Sequence, residues 1–181
     1  MNYIIGGIIV LVIILWVIST QRSLVKLDEN INNAMSQIGV QLSSRWDALT
    51  SLLDLTKGYA AHEYKTITDT IKTRRSITRD SSPQQVQEQE SIIVEAMGKI
   101  MAIAENYPDL KANTTYIKTM DSVNLYENMV RSSRLIYNDS VTKLNRSIRM
   151  FPQSIIAGML GFTQREYLEA VDGKEEMPSM K

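Results

Sequence analysis

Tyr3-Ile4-Ile5-Gly6-Gly7-Ile8-Ile9-Val10-Leu11-Val12-Ile13-Ile14-Leu15-Trp16-Val17-Ile18-Ser19 is an apolar run with no charged side chain, and none precedes Arg22. At about 1.5 Å of rise per residue it spans roughly 26 Å as a helix, close to a bilayer hydrocarbon core of about 30 Å. A core helix of a globular domain would carry a polar face over this length, and this run has none. A secretory signal would place a basic segment ahead of the apolar run; only Val17-Ile18-Ser19, a passable cleavage site, speaks for one. Residues 1–21 are therefore expected to form an uncleaved transmembrane anchor. Arg22 and Lys26 follow the span and no Lys or Arg comes before it. That excess of positive charge predicts a single-pass protein with its N-terminus outside and the bulk of the chain cytoplasmic.

Composition bounds the remaining 160 or so residues to one domain. The 20 basic and 20 acidic residues balance, which excludes a nucleic-acid-binding polyelectrolyte. With no Cys, disulfides, thiolate metal sites and cysteine-linked lipids are excluded. Gly and Pro number only 8 and 4, and two of the glycines lie in the span, so long uninterrupted helices should dominate.

The helical period is plain from 24 to 55, where Leu24, Leu27, Ile31, Ala34, Ile38, Leu42, Leu49, Leu52 and Leu55 recur at mostly three- and four-residue steps with Trp46 near the same stripe. This reads as an amphipathic helix continuing straight out of the membrane. It could extend to about Arg79, with Gly58 as its one soft point. In Ser82-Pro83-Gln84-Gln85 the serine suits an N-cap, the proline the first helical position and Gln85 the third, where its amide reaches back to the cap. A helix from Pro83 should carry Val86, Ile93, Ala96, Met97, Ile100, Ile103 and Ala104 on one face and end before Pro108, which lacks the N–H that a helix interior needs. A last long helix, about Thr114 to Met150, aligns Tyr126, Val130, Ser133, Tyr137, Val141, Leu144, Ile148 and Phe151. Residues 22–165 are thus expected to form an all-α, long-helix antiparallel bundle of the four-helix up-and-down type. Residues 166–181 are expected to be a polar, disordered tail.

Segment lengths return the last helix along the first, which would put Phe151 and the apolar stretch 155–162 beside the membrane. Ile155, Ile156 and Phe162 are then candidate lipid contacts, and Lys143, Arg146 and Arg149 would join Arg22 and Lys26 near anionic head groups. The alternative is that 155–162 caps the bundle core.

Reactive constellations are not evident. The one histidine, His62, lacks the second histidine of a zinc-protease helix, and there is no phosphate-binding glycine loop and no G-x-S-x-G turn. No metal, cofactor or catalytic residue is expected. Carboxylates such as Asp47, Glu63 and Glu127 read as solvated or salt-bridged positions. Glu127, Asn128, Arg134, Tyr137 and Asn138 lie at or near the apolar stripe of the last helix, and Glu127 to Arg134 is two turns along one face. They form either a recognition surface or a partly buried polar network that sets helix register, and Arg45 and Asp47 of the first helix are counted with them as candidates.

Val40-Gln41-Leu42 with Arg45 and Asp47, Lys57-Gly58-Tyr59-Ala60 with His62-Glu63, AENYPDLKAN from Ala104 to Asn113, Glu127-Asn128 with Arg134 and Tyr137-Asn138, and Ile148 to Pro152 with Gly161-Phe162 closely resemble the LemA family of bacterial membrane proteins. The match runs in order from about Ala34 to Phe162. The resemblance implies an inner-membrane protein with one N-terminal membrane helix, a short outside N-terminus and a long-helix bundle. Family members commonly carry Trp, Asp and a Pro-Asn pair where this chain has Met35, Gly39 and Thr50-Ser51; loss of that proline predicts a straighter first helix here. The family implies no reaction; one relative in magnetic bacteria is linked to building an intracellular membrane compartment, and others occur with membrane proteases or envelope-stress systems. The expected function is a membrane-anchored, non-enzymatic scaffold, a homo-oligomer that organises the lipid bilayer or partner proteins. The alternative is an accessory or regulatory subunit of a membrane protease.

Overall fold

The computed structural model describes residues 2–169. Among the described residues six helices follow one another: α1 Asn2–Thr56, α2 Ala61–Ile71, α3 Pro83–Asn106, α4 Pro108–Lys111, α5 Thr114–Arg149 and α6 Gln153–Met159. No strand occurs among the described residues. α1 has 55 residues, so it is a rod of roughly 82 Å, and it passes through Thr50-Ser51 without interruption. One N-terminal helix is therefore long and apolar enough to cross a membrane, and residues 3–15 of it touch no other element closely enough to be covered.

The chain breaks at Lys57–Ala60, around Gly58, where the N–H groups of Tyr59 and Ala60 both donate to the Thr56 carbonyl. α2 then folds back along α1: Tyr64 reaches Asp54, Arg74 reaches Asp47, and the Ile77 carbonyl lies against Gly39. Lengths account for this reversal. Gly39 to Thr56 is about 26 Å of helix, matched by roughly 16 Å of α2 and about 10 Å of extended chain leading to Ile77. Ser82 then starts α3 with a capping box, its hydroxyl accepting from Gln85 N–H and the Gln85 side chain accepting from Ser82 N–H. α3 climbs, α4 turns the chain over, and α5 descends along α1, with Asn113 accepting from Thr115 and Tyr116 N–H as its N-cap.

The result is an up-down-up-down bundle of α1, α2, α3 and α5, with α1 against α5 as its spine. Its core is the predicted stripe: Leu24, Ile31, Ala34, Ile38, Leu42, Trp46, Leu49 and Leu52 of α1 meet Val130, Tyr137, Val141 and Leu144 of α5, and Val86, Ile93, Ala96 and Ile100 of α3. Each large apolar side chain so buried contributes about 1.5–3 kcal/mol of transfer free energy. Nearer the apolar N-terminal run α2 and α3 are absent, and α6 packs instead on α1 and α5.

Phe151 departs from the expected register. It is 80% exposed, because α5 ends at Arg149 and Met150 adopts an extended conformation that turns the chain off the helix axis. Ile156 and Ala157 of α6 are the residues that turn inward. α6 closes in a Schellman arrangement: Phe162 N–H donates to the Ala157 carbonyl and Gly161 N–H to that of Gly158, with Gly161 at φ 74°. That left-handed step, open to glycine at no steric cost, returns Phe162 to the core and sends the chain back along α5. The tail expected from residue 166 does not begin there, since 166–169 lie hydrogen-bonded against α5. Its remainder, 170–181, lies outside the described residues.

Candidate functional site

Two polar assemblies run down the bundle, and both are built on α5. The upper one joins three helices. Arg45 of α1, only 4% exposed, donates through Nη2 to Glu127 Oε2 of α5 at 2.9 Å, and Arg131 reaches the other Glu127 oxygen at 3.4 Å. Two turns further along α5, Arg134 Nη1 donates to Glu90 Oε2 of α3 at 2.5 Å. Glu90 also lies close enough to Arg45 to act on its guanidinium. Burial pulls the Arg45 guanidinium below its usual value, and Glu127 and Glu90 act in the opposite direction. Opposed charges at this depth offset one another's desolvation, which is the condition under which buried ions persist. Gln89, beside Glu90, accepts from the Arg75 N–H at 2.8 Å and so ties the α2–α3 connection to α3.

The lower assembly holds the chain after α6 as an extended strap. Asn145 brackets Arg165, donating to its carbonyl and accepting from its N–H, each at 2.9 Å. Asn138 does the same to Leu168, also at 2.9 Å. The match is geometric: seven residues of helix advance about 10.5 Å, and three extended residues advance about 10 Å. Between these clamps the Tyr137 hydroxyl donates to the Glu166 carbonyl at 3.1 Å, and just beyond the second one Arg134 Nη2 donates to the Glu169 carbonyl. Arg165 in turn bonds Asp28 of α1 at 2.8 Å, and Leu168 is buried in the core. Arg134 therefore joins the two assemblies.

Burial raises the Tyr137 phenol above its usual 10.0, and burial does the same to Tyr116. The neutral form is thus favoured in the fold, so this contribution to stability is complete below pH of about 10 and is lost as pH rises through the folded-state value. Replacing Tyr137 with Phe should cost about 1 kcal/mol at neutral pH through the lost hydrogen bond. It should also flatten part of the alkaline loss of thermal stability, Tyr116 supplying the rest, as a pair of melting curves on either side of pH of about 10 would show.

The predicted residues divide. Arg45 with Glu127, and Arg134 with Tyr137 and Asn138, are brought together as a polar network. Asp47 is not part of it: its side chain is exposed and pairs with Arg74 at 2.7 Å, the same guanidinium reaching Ser43. Asn128 is exposed on the outer face of α5. Glu90, Gln89 and Asn145 were not anticipated; Glu90 does follow the N-cap by eight residues on the Val86–Ile93 face, where a carboxylate among apolar positions is a readable signal of a buried partner.

Among the candidate membrane contacts, Arg22, Lys26, Arg146 and Arg149 are exposed, and Lys143 pairs with Asp139 one turn away. Ile155 is exposed, whereas Ile156 is buried and Phe162 packs on the core, so neither of the latter two is an outward contact. Among the described residues no cluster of three or more His, Asp or Glu side chains is placed to hold a metal ion.

The sequence profile of the LemA family matches residues 34–181. The magnetosome protein MamQ of Magnetospirillum gryphiswaldense is 35% identical over 72 residues, covering 40% of this chain and 26% of that protein. The magnetosome protein MamQ 1 of Paramagnetospirillum magneticum is 31% identical over 74 residues, 41% of this chain and 27% of its own. The protein LemA of Metamycoplasma hominis is 26% identical over 144 residues, covering 79% of this chain and 66% of that one. The chain therefore spans about a quarter of the length of the magnetosome relatives it matches.

Proposed function

The chain belongs to the LemA family, and from that premise we propose that it is a membrane-anchored, non-enzymatic scaffold that associates with copies of itself and so organises membrane or partner proteins. In this reading α1 crosses the bacterial inner membrane once, with the N-terminus outside and the bundle on the cytoplasmic side, as the basic residues Arg22 and Lys26 suggest. Two of the relatives are named as magnetosome proteins, and the part they share with this chain is about a quarter of their length.

One observation carries the reading. α5 packs on α1 along one face and leaves a second apolar stripe outward: Leu125, Met129 and Ile136, spaced by four and seven residues, with Leu135 beside them, are all exposed. An unpartnered stripe of this period on a long straight helix is the geometry by which helices pair, and a second copy of the same stripe is a self-complementary cover. The inward carboxylates support the non-enzymatic side of the proposal, because buried Glu90 and half-buried Glu127 answer arginines that lock helices together.

The test is the mass of the intact protein in mild detergent across a range of concentrations. Wild type should sediment as an oligomer, and the exposed-site double variant Leu125→Glu/Ile136→Glu should shift it toward monomer without loss of helicity. A wild-type monomer at every concentration would overturn self-association; recovery of a membrane protease in fixed stoichiometry would put the accessory-subunit reading in its place.

A further inference from the structure

The membrane end of the bundle carries a second feature. From residue 3 to 15 the α1 side chains are exposed, but Trp16 and Val17 are half-buried and Thr20 is 7% exposed. Something therefore packs against the last turn of the apolar run, below Arg22. α2 and α3 are not there: the Ile77 carbonyl, in the connection six residues before α3, lies against Gly39, about 28 Å further along the rod. The elements that reach this end of α1 are the close of α5 and α6. Folded protein thus sits at the depth where the hydrocarbon boundary falls if residues 3–19 span it.

What that folded end presents outward is apolar. Phe151 is 80% exposed and Met159 79%, with Met150, Ile155 and Leu160 about half exposed. Ile156 and Ala157 meanwhile anchor α6 to the bundle, so the helix has one face in the core and one face unpartnered. Arg146 and Arg149 in the last turn of α5 are exposed at the same end as Arg22 and Lys26. An apolar face beneath a basic collar is the arrangement of helices that lie in the bilayer interface and contact anionic head groups.

We propose that α6, with Met150 and Phe151, is a second membrane contact, lying in the head-group boundary of the leaflet that α1 leaves, with Phe151 and Met159 among the upper acyl chains. α6 packs on α1, whose residues 3–15 are apolar and exposed, so with α1 in the bilayer the patch lies beside acyl chains, and this selects lipid over a soluble partner as its occupant. The bundle is then fixed to the membrane at two points and held at a set angle to it, instead of swinging on a single helix.

The proposal rests on α1 crossing the bilayer, and one experiment separates the two claims. Because the chain has no cysteine, single nitroxide labels can be attached through Leu11→Cys, Phe151→Cys, Met159→Cys and Ala102→Cys in the full chain. Each is reconstituted into vesicles of phosphatidylethanolamine and phosphatidylglycerol. All four positions are exposed, so the substitutions leave the core untouched. Labels at 151 and 159 should collide with oxygen severalfold more, relative to a water-soluble nickel chelate, than the label at 102, and less than the label at 11. If 11 is deep while 151 and 159 match 102, α6 is in water and the proposal falls although the anchor stands. If 11 also matches 102, both fall. Spin–spin broadening at 151 and 159 without oxygen preference would assign the patch to a second copy of the chain and likewise overturn lipid contact.

Discussion

Replacing Glu90 with Ala is expected to lower the unfolding free energy by about 3–4 kcal/mol, in the range found when one partner of a buried ion pair is removed. For a domain of this size, that corresponds to a fall of roughly 10 °C in melting temperature. The cause lies in what Glu90 leaves behind. It is 6% exposed, holds Arg134 at 2.5 Å and acts on Arg45, so its loss strands positive charge in the interior. It also removes a bridge from α3 to α5, two helices that each pack chiefly on other partners. Glu90→Gln, which keeps an acceptor for the Arg134 guanidinium but no counter-charge, should cost about half as much, because the hydrogen bond survives while the ion pair is lost. Glu90→Leu combined with Arg134→Leu should recover part of the loss, because the Glu90–Arg134 pair is then removed whole and Arg45 keeps Glu127, while the bond from Arg134 to the Glu169 carbonyl is given up. Melting curves of the full chain in detergent, followed by circular dichroism, would check the series. A loss under about 1 kcal/mol for Glu90→Ala would mean that water, not protein, solvates this site.

Gly39→Val should cost about 3 kcal/mol, at the upper end for overpacking, and should open the α2–α3 connection. A Cβ built at Gly39 stands 2.2 Å from the Ile77 carbonyl oxygen and 3.0 Å from its carbon. Both obstacles are backbone, so no rotamer change relieves the clash and residues near 77 must move as a unit. That unit is pinned by Arg74 to Asp47 and Ser43, by Arg75 N–H to Gln89, and by Ser82 capping α3. Gly39→Ala makes the same clash, but alanine gains about 1 kcal/mol of helix propensity over glycine, so its net cost should be smaller. Limited digestion with trypsin gives an independent readout, since Arg74, Arg75 and Arg79 lie on this connection and are exposed. Faster cleavage there in Gly39→Val than in wild type is expected; equal rates would show that the connection yields without detaching.

Gly39 also shows where reading a sequence stops. It departs from the family pattern, and nothing in the neighbouring sequence asks for a glycine inside this helix. The explanation is a carbonyl 38 positions later in the chain, and no local rule contains that distance. Phe151 erred in the other direction: the period of three and four placed it on the buried stripe, but the helix stops two residues earlier, and the stripe stops with it. Period predicts a face only while the helix lasts.

Chain order and side-chain period determined the apolar N-terminal run long enough to cross a membrane, the stop at Tyr107-Pro108, the capping box at Ser82, and the buried faces of α1, α3 and α5. Each of these is a local property, settled by hydropathy, by proline's missing N–H or by a cap within three residues. Tertiary structure decided the rest. The reversal of α2 at Gly58, the pairing of Arg45 with Glu127 while Asp47 turns outward to Arg74, and the capture of residues 165–169 by Asn138 and Asn145 depend on which helix lies opposite. A side chain's partner is set by distance in space, and a bundle brings into contact residues separated by as many as 137 positions, as Asp28 and Arg165 are.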